Sequence, residues 1–305
     1  MFRHTSPSLI LCLAIILLLP FQTAPALAES AVGFDLVDGQ FIIVSVFVDK
    51  SGPYDFMLDT GSNVTLVDPD LIAKLGGTPL GKRELATPAG SRYVSCFRVQ
   101  EFRLGARVTK SLDVLAVAVT SLKRKRVLGL LGQDFLGNFN YLLDYKRKML
   151  LFEEDREFER NLSGRIFNTY RYAHRVLVML PPQSSGSRPS LFVLDSGAQR
   201  LTLFGHQQEG LGFDLKSGYQ PGNLYSVVNG QTGLAGRFGS FNIGGNAFSD
   251  LPVVVAADPR GTQQFRIENG LLPTSYFQSV YFNNSEGYVS FNPRFTPEIS
   301  SLGKQ

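Results

Sequence analysis

Two short segments of the chain place a carboxylate between stretches that are otherwise apolar. The first, "FMLDTGSNVTLV" at residues 56–67, contains Asp59 followed by Thr, Gly and Ser. The second, "LFVLDSGAQRLTL" at residues 191–203, places Asp195 at the equivalent position, 136 residues later. A buried carboxylate is unfavourable unless it is paired or its pKa is shifted. The two matched segments therefore predict that Asp59 and Asp195 are each other's partner.

Two carboxyl groups brought close together can hydrolyse a bond without a metal or a nucleophilic side chain. Like charges at short range cannot both ionise, so such a pair shares one proton. The ionised member takes a proton from an attacking water, and the protonated member hydrogen-bonds the carbonyl oxygen of the substrate. A single Asp-Thr-Gly is common turn chemistry, and only the doubled arrangement favours this interpretation. We expect no metal and no cofactor, because no Cys/His cluster has metal spacing. No Gly-x-Ser-x-Gly elbow for a nucleophilic serine occurs either.

Three further blocks recur in the same order, at offsets of 139 to 141 residues. "FRLGARVTKSLDVLAVA" at 102–118 resembles "FNIGGNAFSDLPVVVAA" at 241–257, and "GLLGQDFLGNF" at 129–139 resembles "GLLPTSYFQSV" at 270–280. "YLLDYKRKMLLF" at 141–152 resembles "VYFNNSEGYVSF" at 280–291. The period is far too long for a solenoid and indicates two similar lobes.

The pattern of each lobe is mainly that of strands. "QFIIVSVFV" and "FRVQEFRLG" alternate with period two, while "DPDLIAKLG" at 68–76 predicts one short helix. "PAG" at 88–90 and "NG" at 229–230 are hairpin-turn signals. We predict lobes at 29–155 and 171–295, a connection at 156–170 where charge rises, and a mobile tail at 296–305.

These paired loops, each followed by an apolar strand, a hairpin and an apolar-Gly block, resemble the pepsin and retropepsin family of aspartic proteases. The resemblance covers roughly residues 34–293 and implies an all-β fold of two closed, barrel-like lobes with few short helices and the active site between them. It also implies an endopeptidase that binds an extended polypeptide as a monomer. The resemblance implies site residues in three groups: catalytic Asp59 and Asp195; supporting Thr60, Gly61, Ser62, Ser196, Gly197 and Ala198; and flap residues Ala89, Gly90, Tyr93, Asn229 and Gly230.

The two copies also differ. Ser62 follows the first Asp-Thr-Gly and Ala198 follows the second Asp-Ser-Gly. By likeness to pepsin-like enzymes, we expect the Ser62 hydroxyl to donate to Asp59, which would favour the charge on Asp59 and the proton on Asp195. In the second lobe, Glu268 and Asn269 replace apolar residues before Gly270, and "GQDF" becomes "PTSY". This drift motivates the alternative that the protein binds peptides or a partner protein without cutting them.

The N-terminus has the pattern of an export signal. Arg3 and His4 precede the apolar run "LILCLAIILLLP", and "ALA" at 26–28 is a small-x-small cleavage site, so residues 1–28 form the predicted signal peptide. We expect a periplasmic or secreted bacterial protein without a membrane span after cleavage; an uncleaved N-terminal anchor is the alternative. Cleavage would leave Cys96 as the only cysteine and therefore no internal disulfide.

Composition bounds the remaining classes. The chain is 44% hydrophobic and 18% charged, which suits a globular protein with a sizeable core. A formal charge of +4 over 305 residues is a weak signal for nucleic acid, and the basic run at 123–126 is interpreted as a solvated loop. We therefore expect no nucleic-acid partner.

Overall fold

The computed structural model describes residues 30–87, 90–119, 127–172, 174–205, 220–225, 230–243, 245–256 and 267–295. Most of these residues lie in strands. The helices of this part of the chain are α1 (Pro69–Leu75), α2 (Gln133–Leu136) and α3 (Glu157–Asn161), and one 3-10 turn covers Thr274–Tyr276.

The first half of the chain forms an eight-stranded sheet with the order β2-β3-β4-β9-β5-β8-β7-β6. Strand β3 pairs with both β4 and β7, which curls this sheet back on itself. Its strands are β2 (Asp35–Val37), β3 (Phe41–Val48), β4 (Ser51–Leu58), β5 (Leu66–Val67), β6 (Thr78–Thr87), β7 (Gly90–Leu104), β8 (Arg107–Ala116) and β9 (Gly129–Leu131).

The second half builds most of a 13-stranded sheet. Its strands are β1 (Ala31–Gly33), β10 (Tyr141–Asp144), β11 (Met149–Phe152), β13 (Ile166–Tyr172), β14 (Arg175–Leu180), β15 (Ser190–Asp195), β16 (Leu201–Phe204), β17 (Gln220–Tyr225), β18 (Gly230–Ile243), β19 (Asn246–Ala256), β20 (Gly270–Pro273), β21 (Ser279–Asn283) and β22 (Tyr288–Phe291). The strand order is β1-β11-β10-β21-β22-β13-β14-β15-β20-β16-β19-β18-β17. A separate pair joins β12 (Leu162–Ser163) to β23 (Arg294–Phe295).

The repeat seen in the sequence is also a repeat of topology. The order β3-β4-β9-β5-β8-β7-β6 of the first sheet recurs as β14-β15-β20-β16-β19-β18-β17 in the second. In each copy the strand that leads to the aspartate runs parallel to the apolar-Gly strand, which is antiparallel to the strand after the loop. The predicted fold class, all-β with two similar lobes and few short helices, is confirmed.

A shared sheet joins the two lobes. Strands β1, β11 and β10 come from the first half of the chain and continue directly into β21, β22 and β13. At the junction Tyr141 lies opposite Phe282, and their rings stack with centroids 4.8 Å apart. The segment 156–170, predicted as a connection, contains α3, β12 and the first residues of β13. The predicted division into lobes and connection stays a prediction.

Apolar residues at alternating positions build the core on both faces of the strands. Ile42, Val44, Val46 and Val48 of β3 are buried in the main cluster, which continues through both lobes. The remaining faces form a second cluster in the first lobe and a smaller one in the second. Burial of this apolar area, worth about 25 cal/mol per Å², is the main force that holds the aspartate loops in place.

The short helix predicted at 68–76 is confirmed as α1. Asp68 caps its start by accepting a hydrogen bond from the Asp70 amide at 2.9 Å, and Gly76 ends it in the left-handed conformation with φ of 70°. Pro69 occupies the first helical position, where its missing N–H is not needed.

Several sequence predictions fall on residues outside the described ranges: the signal segment 1–28, the basic run 123–126 and the tail 296–305. Cys96 is a free, buried cysteine. Within the described ranges, no helix is both long enough and apolar enough to span a bilayer.

Candidate active site

The Asp59 loop begins where β4 ends. The Asp59 amide donates to Leu131 O of β9 at 3.0 Å, which anchors the loop to the parallel neighbour of β4. One carboxylate oxygen, Oδ1, accepts hydrogen bonds from the amides of Gly61 at 2.9 Å and Ser62 at 3.1 Å. The tight turn therefore orients the carboxyl group through two backbone amides.

The Asp195 loop has the same construction. Asp195 is the last residue of β15 and lies opposite Pro273 of the parallel strand β20. Its Oδ1 accepts a hydrogen bond from the Gly197 amide at 2.7 Å. The side chain is buried, with only 9% of the residue exposed.

Thr60 and Ser196 connect the two loops across the lobe interface. The Thr60 hydroxyl donates to Leu194 O at 2.8 Å, and the Ser196 hydroxyl donates to Leu58 O at 2.8 Å. Each hydroxyl also accepts the amide of the other residue at 3.0 Å. All four bonds are buried, so the residue after each aspartate is bound to the opposite loop.

Gly61 and Gly197 allow the loops to approach each other. A Cβ atom on Gly61 would lie 2.4 Å from Cγ of Asp195, and one on Gly197 would lie 2.9 Å from Cγ of Asp59. Either contact is shorter than real Cβ atoms tolerate, so these positions require glycine because of the opposite carboxyl group.

The carboxyl groups of Asp59 and Asp195 lie beside each other, each against the glycine of the opposite loop. Burial raises the pKa of Asp59, and the hydrogen bonds from Asp195, Gly61 and Ser62 oppose that rise. The pKa of Asp195 is raised well above its ordinary value, first by burial and then by the negative charge of Asp59. Burial and mutual repulsion both oppose a second negative charge, so the two carboxyl groups titrate as one coupled pair.

The Ser62 hydroxyl donates to a backbone carbonyl and not to the Asp59 carboxylate. It donates to Val64 O at 2.8 Å, two residues further along its own loop, and accepts the Val64 amide at 3.4 Å. The expectation that it donates to Asp59 is wrong, because its one hydrogen goes to a backbone carbonyl within the same turn. Ala198, its counterpart, packs against the apolar cluster of the second lobe.

Gln133 and Asp134, which the sequence analysis did not assign to the site, hold the Asp59 loop from behind. The Gln133 amide donates to Ser62 O at 2.9 Å, and its side-chain Nε2 donates to Thr60 O at 3.1 Å. The Asp134 carboxylate accepts the amide of Thr65 at 2.7 Å and its hydroxyl at 2.6 Å. Their place just after the apolar-Gly strand β9 is the only signal in the sequence that they adjoin the loop.

The second lobe performs the same task with different side chains. Tyr276, equivalent to Phe135, accepts the Leu201 amide with its hydroxyl at 2.9 Å. Leu201 is the repeat equivalent of Thr65, whose amide donates to the Asp134 carboxylate. The neutral Tyr276 hydroxyl therefore accepts in the second lobe the bond that Asp134 accepts in the first.

The polar residues that replace apolar ones before Gly270 are also accommodated. Glu268 is fully buried and pairs with Nη1 of Arg175 at 2.7 Å. Asn269 uses its Oδ1 to accept the Leu191 amide at 2.6 Å, while its own amide donates to Leu191 O at 2.6 Å. The drift of the second lobe therefore leaves the strand pairing beneath Asp195 intact.

Both predicted flap hairpins are flanked by paired strands. Gly90 begins β7 with φ of 134° and pairs with Thr87, and Tyr93 on the same strand is 72% exposed. Gly230 begins β18 and pairs with Tyr225. Ala89 and Asn229 lie outside the described residues, and a role of these hairpins in binding substrate stays a prediction.

Two β lobes with one strand order, each presenting an Asp-Thr/Ser-Gly loop to the other, define the acid-protease fold. Residues 44–135 match the family model described as aspartyl protease, which confirms the resemblance inferred from the loops. The matched region includes Asp59 and ends before the second lobe. Asp195 lies outside the matched residues and corresponds to Asp59 through the internal repeat.

The solved structures that resemble the chain include two aspartic proteases. A retropepsin-like aspartic protease from Rickettsia conorii is 18% identical, with 40% of this chain and 87% of that chain covered and a TM-score of 0.30. An aspartic proteinase from Irpex lacteus is 13% identical, with 90% and 99% covered and a TM-score of 0.46. No curated protein sequence matches the chain significantly.

Proposed function

We propose that the protein is an exported aspartic endopeptidase that hydrolyses peptide bonds with a water activated by Asp59 and Asp195. The observation that carries this proposal is the reciprocal bonding of Thr60 and Ser196, which brings two carboxyl groups into contact between two lobes. An aspartate that only stabilises a turn does not require a second buried carboxyl group beside it.

The proposed reaction uses the two carboxyl groups in different roles. Ionised Asp59 takes a proton from a water molecule as its oxygen attacks the carbonyl carbon of the peptide bond. Protonated Asp195 donates to the carbonyl oxygen and stabilises the negative charge that forms there. The tetrahedral intermediate then breaks its C–N bond as the nitrogen receives a proton from the dyad, leaving a carboxyl and an amine product.

The substrate is an extended polypeptide. It would lie between the lobes, under the hairpins β6–β7 and β17–β18, and form main-chain hydrogen bonds as an added strand does. Because one chain supplies both loops, we propose that the monomer is active, with lobes at 29–155 and 171–295. Export rests on the N-terminal signal pattern and is tested by N-terminal sequencing of material recovered from the periplasm or medium.

The deciding experiment compares cleavage of a denatured protein pool by the chain from Glu29 onward and by its variants, from acidic to neutral pH. Asp59→Asn and Asp195→Asn should each lose at least roughly a hundredfold in kcat, and the double variant should be no worse, because the two residues act as one unit. Asp70→Asn, at an exposed position of α1, is the matched control and should retain full activity.

A pepstatin-type transition-state mimic should inhibit the wild-type protein. If the folded protein binds the mimic or a peptide but cleaves nothing at any pH, the peptide-binding alternative replaces the enzyme. A single Asn variant with a tenth of wild-type kcat would contradict the shared dyad.

A further inference from the structure

Two turns of the shared sheet reach into the opposite lobe. Tyr145 follows β10, and its repeat equivalent Asn284 follows β21. The Tyr145 hydroxyl lies 2.6 Å from Oγ1 of Thr274 in the second lobe. Asn284 of the second lobe donates through Nδ2 to Phe139 O at 2.6 Å and Leu136 O at 3.2 Å in the first. Each lobe thus supplies a side chain to the turn behind the other lobe's aspartate loop.

Thr274 occupies the position whose equivalent in the first lobe supports the aspartate loop. It follows Pro273, which lies opposite Asp195 in the register of β15 and β20. Its repeat equivalent is Gln133, whose long side chain donates to Thr60 O directly after Asp59. Thr274 has a shorter side chain, and its hydroxyl pairs with Tyr145 instead.

Tyr145 is held at several points around this contact. Its amide donates to Gln278 O of the second lobe at 2.9 Å, and its ring packs edge-on against Phe34 with centroids 6.2 Å apart. Thr274 is fully buried. Burial raises the pKa of the Tyr145 phenol, the bond to Thr274 opposes that rise, and the charge of Asp195 adds to it. The phenol is therefore within the electrostatic reach of Asp195.

We propose that Tyr145 is a positioning residue for Asp195, supplied across the interface by the first lobe and acting through Thr274. The inference rests on the proposed endopeptidase function. Removing the phenol hydroxyl leaves the buried hydroxyl of Thr274 unpaired and allows the turn after β20 to shift. Because Tyr145 approaches from the shared sheet behind the loop, the loss should affect turnover and leave substrate binding unchanged.

The test uses Tyr145→Phe, Thr274→Val and the double variant on one peptide substrate. Each single change should lower kcat roughly tenfold with KM within about twofold, as expected when one buried hydrogen bond is lost. The kcat of the double variant should be no lower than that of the less active single variant, because both changes remove the same contact.

Tyr281→Phe is the matched control. It removes a buried tyrosine hydroxyl from the same shared sheet, where Tyr281 donates to Oε2 of Glu153 at 2.7 Å. It should lower the midpoint of thermal unfolding and leave kcat unchanged. An equal loss of kcat in Tyr281→Phe and Tyr145→Phe would overturn the proposal, since general destabilisation would then explain both.

Amide hydrogen exchange supplies a readout that does not depend on cleavage. Tyr145→Phe should speed exchange of the Gly197 amide, which is bonded to Asp195, more than that of the Gly61 amide, which is bonded to Asp59. If the wild-type protein cleaves no peptide, the proposed function fails while the exchange result still decides the role of Tyr145. Unchanged exchange at Gly197 together with unchanged kcat would overturn that role.

Discussion

Thr60 and Ser196 exchange hydrogen bonds across the lobe interface, each amide donating to the other's hydroxyl at 3.0 Å. Each hydroxyl in turn donates to the carbonyl of the residue before the opposite aspartate, Leu194 or Leu58. The two loops are therefore one hydrogen-bonded unit, and a shift of one loop's backbone is transmitted to the other.

Loss of one of these hydroxyls should lower both stability and turnover. Ser196→Ala leaves the Thr60 amide and the Leu58 carbonyl unpaired, so the free energy of unfolding should fall by about 1–3 kcal/mol for each group that stays buried. Denaturant unfolding measures this change, and kcat should fall with it. Thr60→Ser keeps a hydroxyl and serves as the control. A Ser196→Ala variant of wild-type stability would show that the two bonds of the Ser196 hydroxyl contribute nothing.

A methyl group on Gly61 should abolish activity. Its Cβ would lie 2.4 Å from Cγ of Asp195, so the loops must separate to accommodate it. Gly61→Ala should leave the strands folded by circular dichroism while kcat drops at least roughly a hundredfold, the loss expected when dyad geometry is broken. Gly33→Ala is the control, because its Cβ would have only the Met149 sulfur within 4 Å, at 3.9 Å. Near-normal turnover by Gly61→Ala would contradict the close approach of the loops.

Ser62→Ala should leave the pH profile of kcat/KM in place. The hydroxyl donates to Val64 O, so its removal withdraws no hydrogen bond from Asp59. The expected effect is a loss of about 0.5–1.5 kcal/mol of stability from the turn. An acidic limb that moves toward neutral pH in this variant would mean that the hydroxyl reaches Asp59 in solution. Profiles of both proteins on one peptide decide the matter.

Asp134 should make stability depend on pH. Burial raises its pKa from 3.8 to about 6, against the opposing hydrogen bonds from Thr65 and Phe135. Between these values the folded state holds a proton that the unfolded state has released. Ionised Asp134 therefore opposes folding above the folded pKa, and this penalty disappears as pH falls through the window.

Asp134→Asn tests this sign. The unfolding free energy of the variant minus that of the wild type should increase as pH rises through the window, by at most about 3 kcal/mol. Because an amide cannot accept from every donor around Asp134, the variant should still be the less stable protein in acid. Asp70→Asn is the control and should show a flat difference. A flat difference for Asp134→Asn would show that its pKa is unperturbed by folding.

The pairing of Asp59 with Asp195 could be predicted from the sequence, because the internal repeat can be read directly from the order of the residues. Four blocks in one order predict two lobes of one topology, and a symmetric fold brings equivalent loops together. The bounds of α1 were equally accessible, since Asp68, Pro69 and Gly76 act on their immediate neighbours.

The sequence did not predict which acceptor a donor bonds when several acceptors are available. The Ser62 hydroxyl was expected to donate to the Asp59 carboxylate, and the turn geometry gives it Val64 O as its acceptor. The backbone amide that follows each aspartate loop donates to Asp134 in the first lobe and to the Tyr276 hydroxyl in the second. Residue type alone therefore does not reveal that these two side chains have the same role.

The chain by itself determined that two carboxylates meet, because the repeat and the apolar patterns dictate the topology of both lobes. Only the tertiary structure decided how each carboxyl group is held. Tyr145 and Thr274 are 129 positions apart and meet because β10 pairs with β21 in the shared sheet. Such a contact depends on the packing of whole strands to within a fraction of an ångström, and no local pattern of residues encodes that distance.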